Sequence, residues 1–274
     1  MTAREFSFGG RSARSETPSP ASGPCGNVGR MTVQHTSLRH TIDGAQFDAV
    51  LVRDDAAGAP PTVLVVHGME GRSDAQLQFA NRLAERGYQA IAVDLFGEDV
   101  SRGGMEATSA AMTGFLDDRE ALARRLATVF GTLTGAAEVD ADRVAAIGFC
   151  FGGLCVLDLA RAGHPLVGVA SFHGLLTPPP QPQQREVTAK VIVFHGWDDP
   201  FAPPEDVVAL GREFSGRGID WQLHAYGNTL HAFMAPFADD PARGVLFSES
   251  ASRRAWTSAE LFLAECFGTE IPAH

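Results

Sequence analysis

The chain has no apolar run approaching the roughly 20 residues that span a bilayer, so no membrane partner is expected. Basic residues are in short supply: 22 Lys and Arg stand against 33 Asp and Glu, a formal net charge of −11. A surface of that sign disfavours nucleic acid and anionic lipid as partners. No Cys-x-x-Cys pair occurs among the four scattered cysteines, Cys25, Cys150, Cys155 and Cys266. That pattern indicates neither a zinc site nor a disulfide framework, and no metal is expected. The N-terminal stretch lacks the apolar centre of a secretory signal, and no internal repeat is present.

What remains has the make-up of a globular protein. The 274 residues are 45% hydrophobic and 20% charged, at a length where an α/β domain is commonly single. Residues 1–30 stand apart. They are rich in Ser, Gly, Pro and Arg and lack apolar periodicity, so they are expected to form a disordered N-terminal extension. Met31 is a second candidate start, and 31–274 is the expected folded domain.

Within that domain, strands alternate with helices. Two β-like segments between residues 32 and 53 flank the hairpin signal Asp43-Gly44. The continuous apolar run 62–67 suits a strand covered on both faces. Further strands are expected at 88–93, 143–149, 166–172, 190–195 and 219–226. Helices are expected from about residue 73 to Gly87, at 108–132 (with Gly114 a candidate interruption), at 154–162, 204–217 and 250–267. Residues 95–104 and the stretch carrying His231 read as loops. This alternation implies an α/β fold, a mostly parallel central sheet with helices on both faces, whose ligand site lies beyond the carboxyl ends of the strands.

The stretch Gly148-Phe149-Cys150-Phe151-Gly152-Gly153 closes one of those strands and opens a helix. A strand running into Gly-x-Cys-x-Gly and then a helix is a nucleophile elbow with Cys in the usual place of Ser. The glycines are needed because strand and helix pass too closely for a Cβ at Gly148 or Gly152. Two later strand ends supply partners. Asp199 follows Gly196 on a turn, and His231 sits in the loop after the last strand. Nucleophile, acid, histidine is the chain order of an α/β-hydrolase triad. In that chemistry a thiolate attacks a carbonyl carbon, an imidazole moves the proton, and a carboxylate orients the imidazole. Asp198 is the alternative acid. His67, His173 and His195 also end strands, and they are expected to satisfy backbone groups at the rim. The oxyanion needs peptide N–H donors, for which Phe151 and Met69 are the candidates.

These segments resemble the dienelactone hydrolase family of α/β-hydrolases. The resemblance rests on Val66-His67-Gly68-Met69-Glu70-Gly71, Val93-Asp94-Leu95-Phe96-Gly97, the elbow, His195-Gly196-Trp197-Asp198-Asp199-Pro200 and His231-Ala232-Phe233. It implies a Cys150–His231–Asp199 triad, no metal or organic cofactor, and hydrolysis of a small ester or lactone. A monomer or homodimer is expected. The pattern departs at two points. Gly68 stands where founding members carry a loop Glu that touches the resting thiol, with Glu70 two residues on. Ala235 stands where they carry an Arg for the substrate carboxylate; Arg72 and Arg102 are the candidate replacements. The departures point away from a carboxylated dienelactone. Phe149, Phe151, Trp197, Phe201 and Phe233, near the triad in sequence, suggest a pocket for an apolar or aromatic acyl part. A catalytically weak binding protein on the same scaffold is the alternative, and a redox role through Cys150 and Cys155 is a third. A thiol nucleophile suits a reduced, cytoplasmic setting.

Overall fold

Residues Thr62–Val66 read Thr-Val-Leu-Val-Val, and all five are buried. A strand with both faces covered needs no polar alternation, and the central strands of this chain follow that rule. The computed structural model describes residues 33–54, 59–181 and 185–269. The extension expected at residues 1–30, and Cys25 with it, lies outside the described residues.

The strands are β1 (Val33–Ile42), β2 (Ala45–Asp54), β3 (Thr62–Val66), β4 (Gln89–Val93), β5 (Val144–Phe149), β6 (Gly168–Phe172), β7 (Lys190–Gly196) and β8 (Trp221–Tyr226). They form one sheet in the order β1-β2-β4-β3-β5-β6-β7-β8. Only the β1–β2 and β2–β4 pairings are antiparallel; the rest of the sheet is parallel. The hairpin turns at Asp43 and Gly44, both with positive φ. The edge strands β1 and β8 are largely part-exposed, whereas β3 to β6 are buried throughout.

Helices cover both faces. The helices α1 (Asp74–Ala84) and α7 (Glu249–Phe267) bury Leu83, Trp256 and Leu263 against one side. On the other side, α4 (Arg119–Thr134), α5 (Phe151–Arg161) and α6 (Pro204–Gly216) bury Leu126, Leu157 and Phe214. Two short departures from the expected elements occur here. The expected loop at 95–104 contains a one-turn helix, α2 (Glu98–Arg102), and the single helix expected at 108–132 is two, α3 (Gly104–Asp117) and α4. The break falls at Asp118 rather than Gly114. Asp118 leaves the helical region and its side chain accepts from the N–H of Ala121, so a capping bond ends one helix and starts the next. The stretch after His231 also holds two two-residue strands, β9 (Asp239–Asp240) and β10 (Val245–Leu246), around a 3-10 turn.

The sheet and α5 meet backbone to backbone. A Cβ on Gly148 would stand 2.0 Å from the carbonyl oxygen of Gly152, and one on Gly152 would stand 2.3 Å from that of Val66. Neither neighbour is a side chain that could swing away. Gly148→Ala is therefore expected to destabilise the protein by about 3 kcal/mol or more. Gly131→Ala, in the middle of α4 with open space around it, is expected to stabilise by about 0.5–1 kcal/mol. Urea unfolding midpoints test both; equal midpoints for the two variants would contradict the close-approach argument.

Candidate active site

Cys150 caps the N-terminus of α5 directly after β5 and has φ 54° and ψ −117°. For a residue with a side chain this is a strained conformation, and surrounding contacts must hold it. The contacts are backbone hydrogen bonds: Cys150 N–H donates to Phe172 on β6 at 3.0 Å, and the Cys150 carbonyl accepts from Gly153 N–H at 2.9 Å. The thiol is thereby lifted onto the rim where the parallel strands end.

Asp199 lies on the turn after β7, closed by Asp199 N–H to Gly196 O at 3.1 Å. Only 2% of it is exposed. One carboxylate oxygen, Oδ1, accepts from Phe201 N–H at 2.8 Å. The other, Oδ2, accepts from Nδ1 of His231 at 2.7 Å. Asp198, its neighbour, is exposed on the same turn. His231 follows β8 and is 5% exposed. Its backbone is pinned on both sides: N–H to Gly244 O at 2.9 Å, and carbonyl from Leu246 N–H at 3.1 Å. Those partners flank the start of β10, an element too short to leave a periodic signal in sequence.

The structure thus brings Cys150, His231 and Asp199 together. Burial pulls the His231 imidazolium towards deprotonation, but hydrogen bonds to Asp199 and to Cys150 outweigh it, and its pKa rises from 6.5 to about 10. The neighbouring histidines behave oppositely. His173, with φ 39°, stands edge-on to His231 at 5.1 Å between ring centroids. Burial, then the charge of His231, lowers it well below 6.5. His195 is lowered too, chiefly by burial. The expectation that all three rival histidines satisfy backbone groups holds only for His67, whose Nε2 accepts from Leu95 N–H at 3.1 Å. Among the described residues, neither ring nitrogen of His173 or His195 has a hydrogen-bond partner.

Of the candidate oxyanion donors, Phe151 opens α5, where a helix leaves its first N–H groups without internal partners. Met69 sits half-buried on the turn after β3, which is closed by Gly71 N–H to Gly68 O at 3.4 Å. Glu70 folds back on that turn and accepts from Gly68 N–H at 3.3 Å. Arg72 donates to Asp48 on β2 at 3.3 Å, and Arg102 is paired with Glu98 and Asp99. The aromatic candidates separate. Trp197 and Phe201 are 44% and 49% exposed, with the Phe201 ring 4.9 Å from that of His231. Phe149, Phe151 and Phe233 are packed into the core. Cys155 is fully buried and burial pushes its thiol well up, so it cannot serve as a resolving thiol. Among the described residues no group of His, Cys, Asp and Glu could hold a metal ion, and no helix is long and apolar enough to cross a membrane.

The model of the dienelactone hydrolase family matches residues 47–267. A solved dienelactone hydrolase-like promiscuous phosphotriesterase from metagenomic libraries is 32% identical, with a TM-score of 0.80, over 86% of this chain and 99% of that one. An uncharacterized protein of Caenorhabditis elegans is 34% identical over 146 residues, 52% of this chain and 92% of its own. An α/β hydrolase from a deep-sea metagenome, 16% identical with a TM-score of 0.57 over 85% of this chain and 98% of that one, shares the fold. The sheet and its flanking helices are those of an α/β-hydrolase.

The raised His231 pKa has a direct consequence. Its charge is retained in the folded state and not in the unfolded chain, so its contribution to stability is full below pH 6.5 and is lost as pH rises through about 10. Nitrogen-15 NMR of the His231 ring should show a titration midpoint near 10, and Asp199→Asn should move that midpoint down. A midpoint at or below 6.5 in the wild-type protein would contradict the assigned pairing.

Proposed function

The chain belongs to the dienelactone hydrolase family, and we propose that it cleaves a small ester or lactone with Cys150 as nucleophile, His231 as proton carrier and Asp199 as the group that orients His231. Membership makes it an ester or lactone hydrolase; the residue roles and the substrate are the proposed part. The observation that carries the reading is the 2.7 Å bond from His231 to a buried carboxylate, with a thiol on a strained elbow acting on the same ring.

In the proposed cycle the Cys150 sulfur attacks the carbonyl carbon and the carbonyl π electrons move onto oxygen. The N–H groups of Phe151 and Met69 receive that oxyanion. Collapse expels the alkoxide, which takes the proton from His231 and leaves a thioester on Cys150. For a lactone the alkoxide stays tethered to the acyl group. His231 then removes a proton from water, hydroxide adds to the thioester carbon, and collapse returns the sulfur to its starting state. Asp199 stays ionised throughout and holds the ring by Nδ1, so that the other ring nitrogen faces the chemistry. A thioester is more reactive than an oxygen ester, so activated esters and lactones suit this cycle. Trp197 and Phe201 offer the apolar acyl part a resting surface, and Arg72, held by Asp48, borders the loop. A free thiol nucleophile favours a reducing, cytoplasmic location, with residues 31–274 as the catalytic domain, monomeric or homodimeric, and needing neither metal nor organic cofactor.

Hydrolysis of p-nitrophenyl acetate tests the assignment. Cys150→Ala and His231→Ala are each expected to lower kcat/KM by about 1,000-fold or more. A Cys150→Ala rate equal to wild type would favour the alternative, a weakly active or inactive binding protein on this scaffold.

A further inference from the structure

We propose that Glu70 makes this site selective for uncharged esters, because its carboxylate stands beside the nucleophile and repels a substrate that carries a carboxylate of its own. The inference rests on the hydrolase reading and names the substrate class of that site.

The loop after β3 has no side chain at Gly68, and Glu70 fills the space. At the point where a Gly68 Cβ would stand, Oε2 of Glu70 is 2.7 Å away and the Cβ of Cys150 is 3.2 Å away. The carboxylate and the nucleophile therefore flank one small volume. Oε1 is held there by Gly68 N–H at 3.3 Å, so the side chain is fixed over the loop.

The cations near this loop are engaged elsewhere. Among the described residues Glu70 is in no ion pair. Arg72 on the same loop is bound to Asp48 at 3.3 Å, Arg102 to Glu98 and Asp99, and Arg243 near His231 to Asp240 at 3.5 Å. The charged His231 ring is bound to Asp199 at 2.7 Å, so those two charges balance and the Glu70 carboxylate is the surplus charge beside the nucleophile. A substrate carboxylate entering beside the thiol meets that surplus at close range, where a charge pair in a protein-like medium changes a rate constant by about 10- to 100-fold. An uncharged ester meets no such penalty, and the exposed rings of Trp197 and Phe201 give its apolar part a surface.

Two matched pairs of reagents test this. The first is p-nitrophenyl butyrate against mono-p-nitrophenyl succinate, which differ mainly by one carboxylate, compared by kcat/KM. The second is iodoacetamide against iodoacetate, compared by the rate of Cys150 alkylation read by mass spectrometry and normalised to free cysteine. The neutral reagent is expected to win each comparison by about tenfold or more, less at high salt. Glu70→Gln, which keeps an acceptor for Gly68 N–H, should shrink both ratios by about tenfold whatever it does to absolute rates. Ratios unchanged in Glu70→Gln, or an anionic reagent that reacts as fast as its neutral partner, would overturn the inference. Charge-selective alkylation that Glu70→Gln removes, with neither ester hydrolysed, would uphold the repulsion by Glu70 at the thiol and overturn the hydrolase reading instead.

Discussion

The site depends on one close approach of backbone to backbone. β5 and the first turn of α5 meet through Gly148 and Gly152 with no room for a Cβ on either, and Gly152 also lies against the carbonyls of Val66 and His67 at the end of β3. The chain can make that approach only by turning sharply between the two glycines. The residue at the turn, Cys150, takes a positive-φ conformation that costs of order 1–3 kcal/mol. Hydrogen bonds to β6 and within α5 hold it in place. Strain stored at this one residue is what exposes a sulfur at the end of an otherwise buried strand.

Electrostatics then divides a set of chemically identical side chains. His67, His173, His195 and His231 all lie at or beyond the carboxyl ends of parallel strands and all are buried. Burial lowers each of them. Only His231 has a buried carboxylate and a thiol as partners, and only its pKa is raised. The neutral His173 beside it is the counterpart: its low pKa follows partly from the charge of His231. Position on the sheet thus makes these histidines candidates, and the hydrogen-bond partner decides which one holds its proton.

Much of this was legible in the sequence. Buried strands wrote themselves as apolar runs, and the elbow showed as two glycines spaced around Cys150. The order Cys150, Asp199, His231 could be read because each follows a recognisable strand. Other features depended on contacts distant in sequence. Asp48, which occupies Arg72, lies 24 residues away on an antiparallel strand. Phe149 and Phe233 share the triad's neighbourhood with Trp197 and Phe201, yet they face the core, and a side chain's direction next to a positive-φ residue such as Cys150 or Ala232 does not follow period-2 alternation. The division of α3 from α4 turned on a single capping side chain, Asp118, which competed with a helix-long apolar stripe. Glu70 could be named from sequence, but only the folded loop shows its carboxylate turned back onto Gly68.

The most direct test of a sulfur nucleophile at the elbow is to stop the reaction with an activated ester in acid within its first turnovers. The peptide carrying Cys150 is then weighed. The expected result is the mass of one acyl group on that peptide, accumulating in wild type and absent in Cys150→Ala. Hydrolysis that proceeds with the acyl group on another residue, or on none, would contradict it.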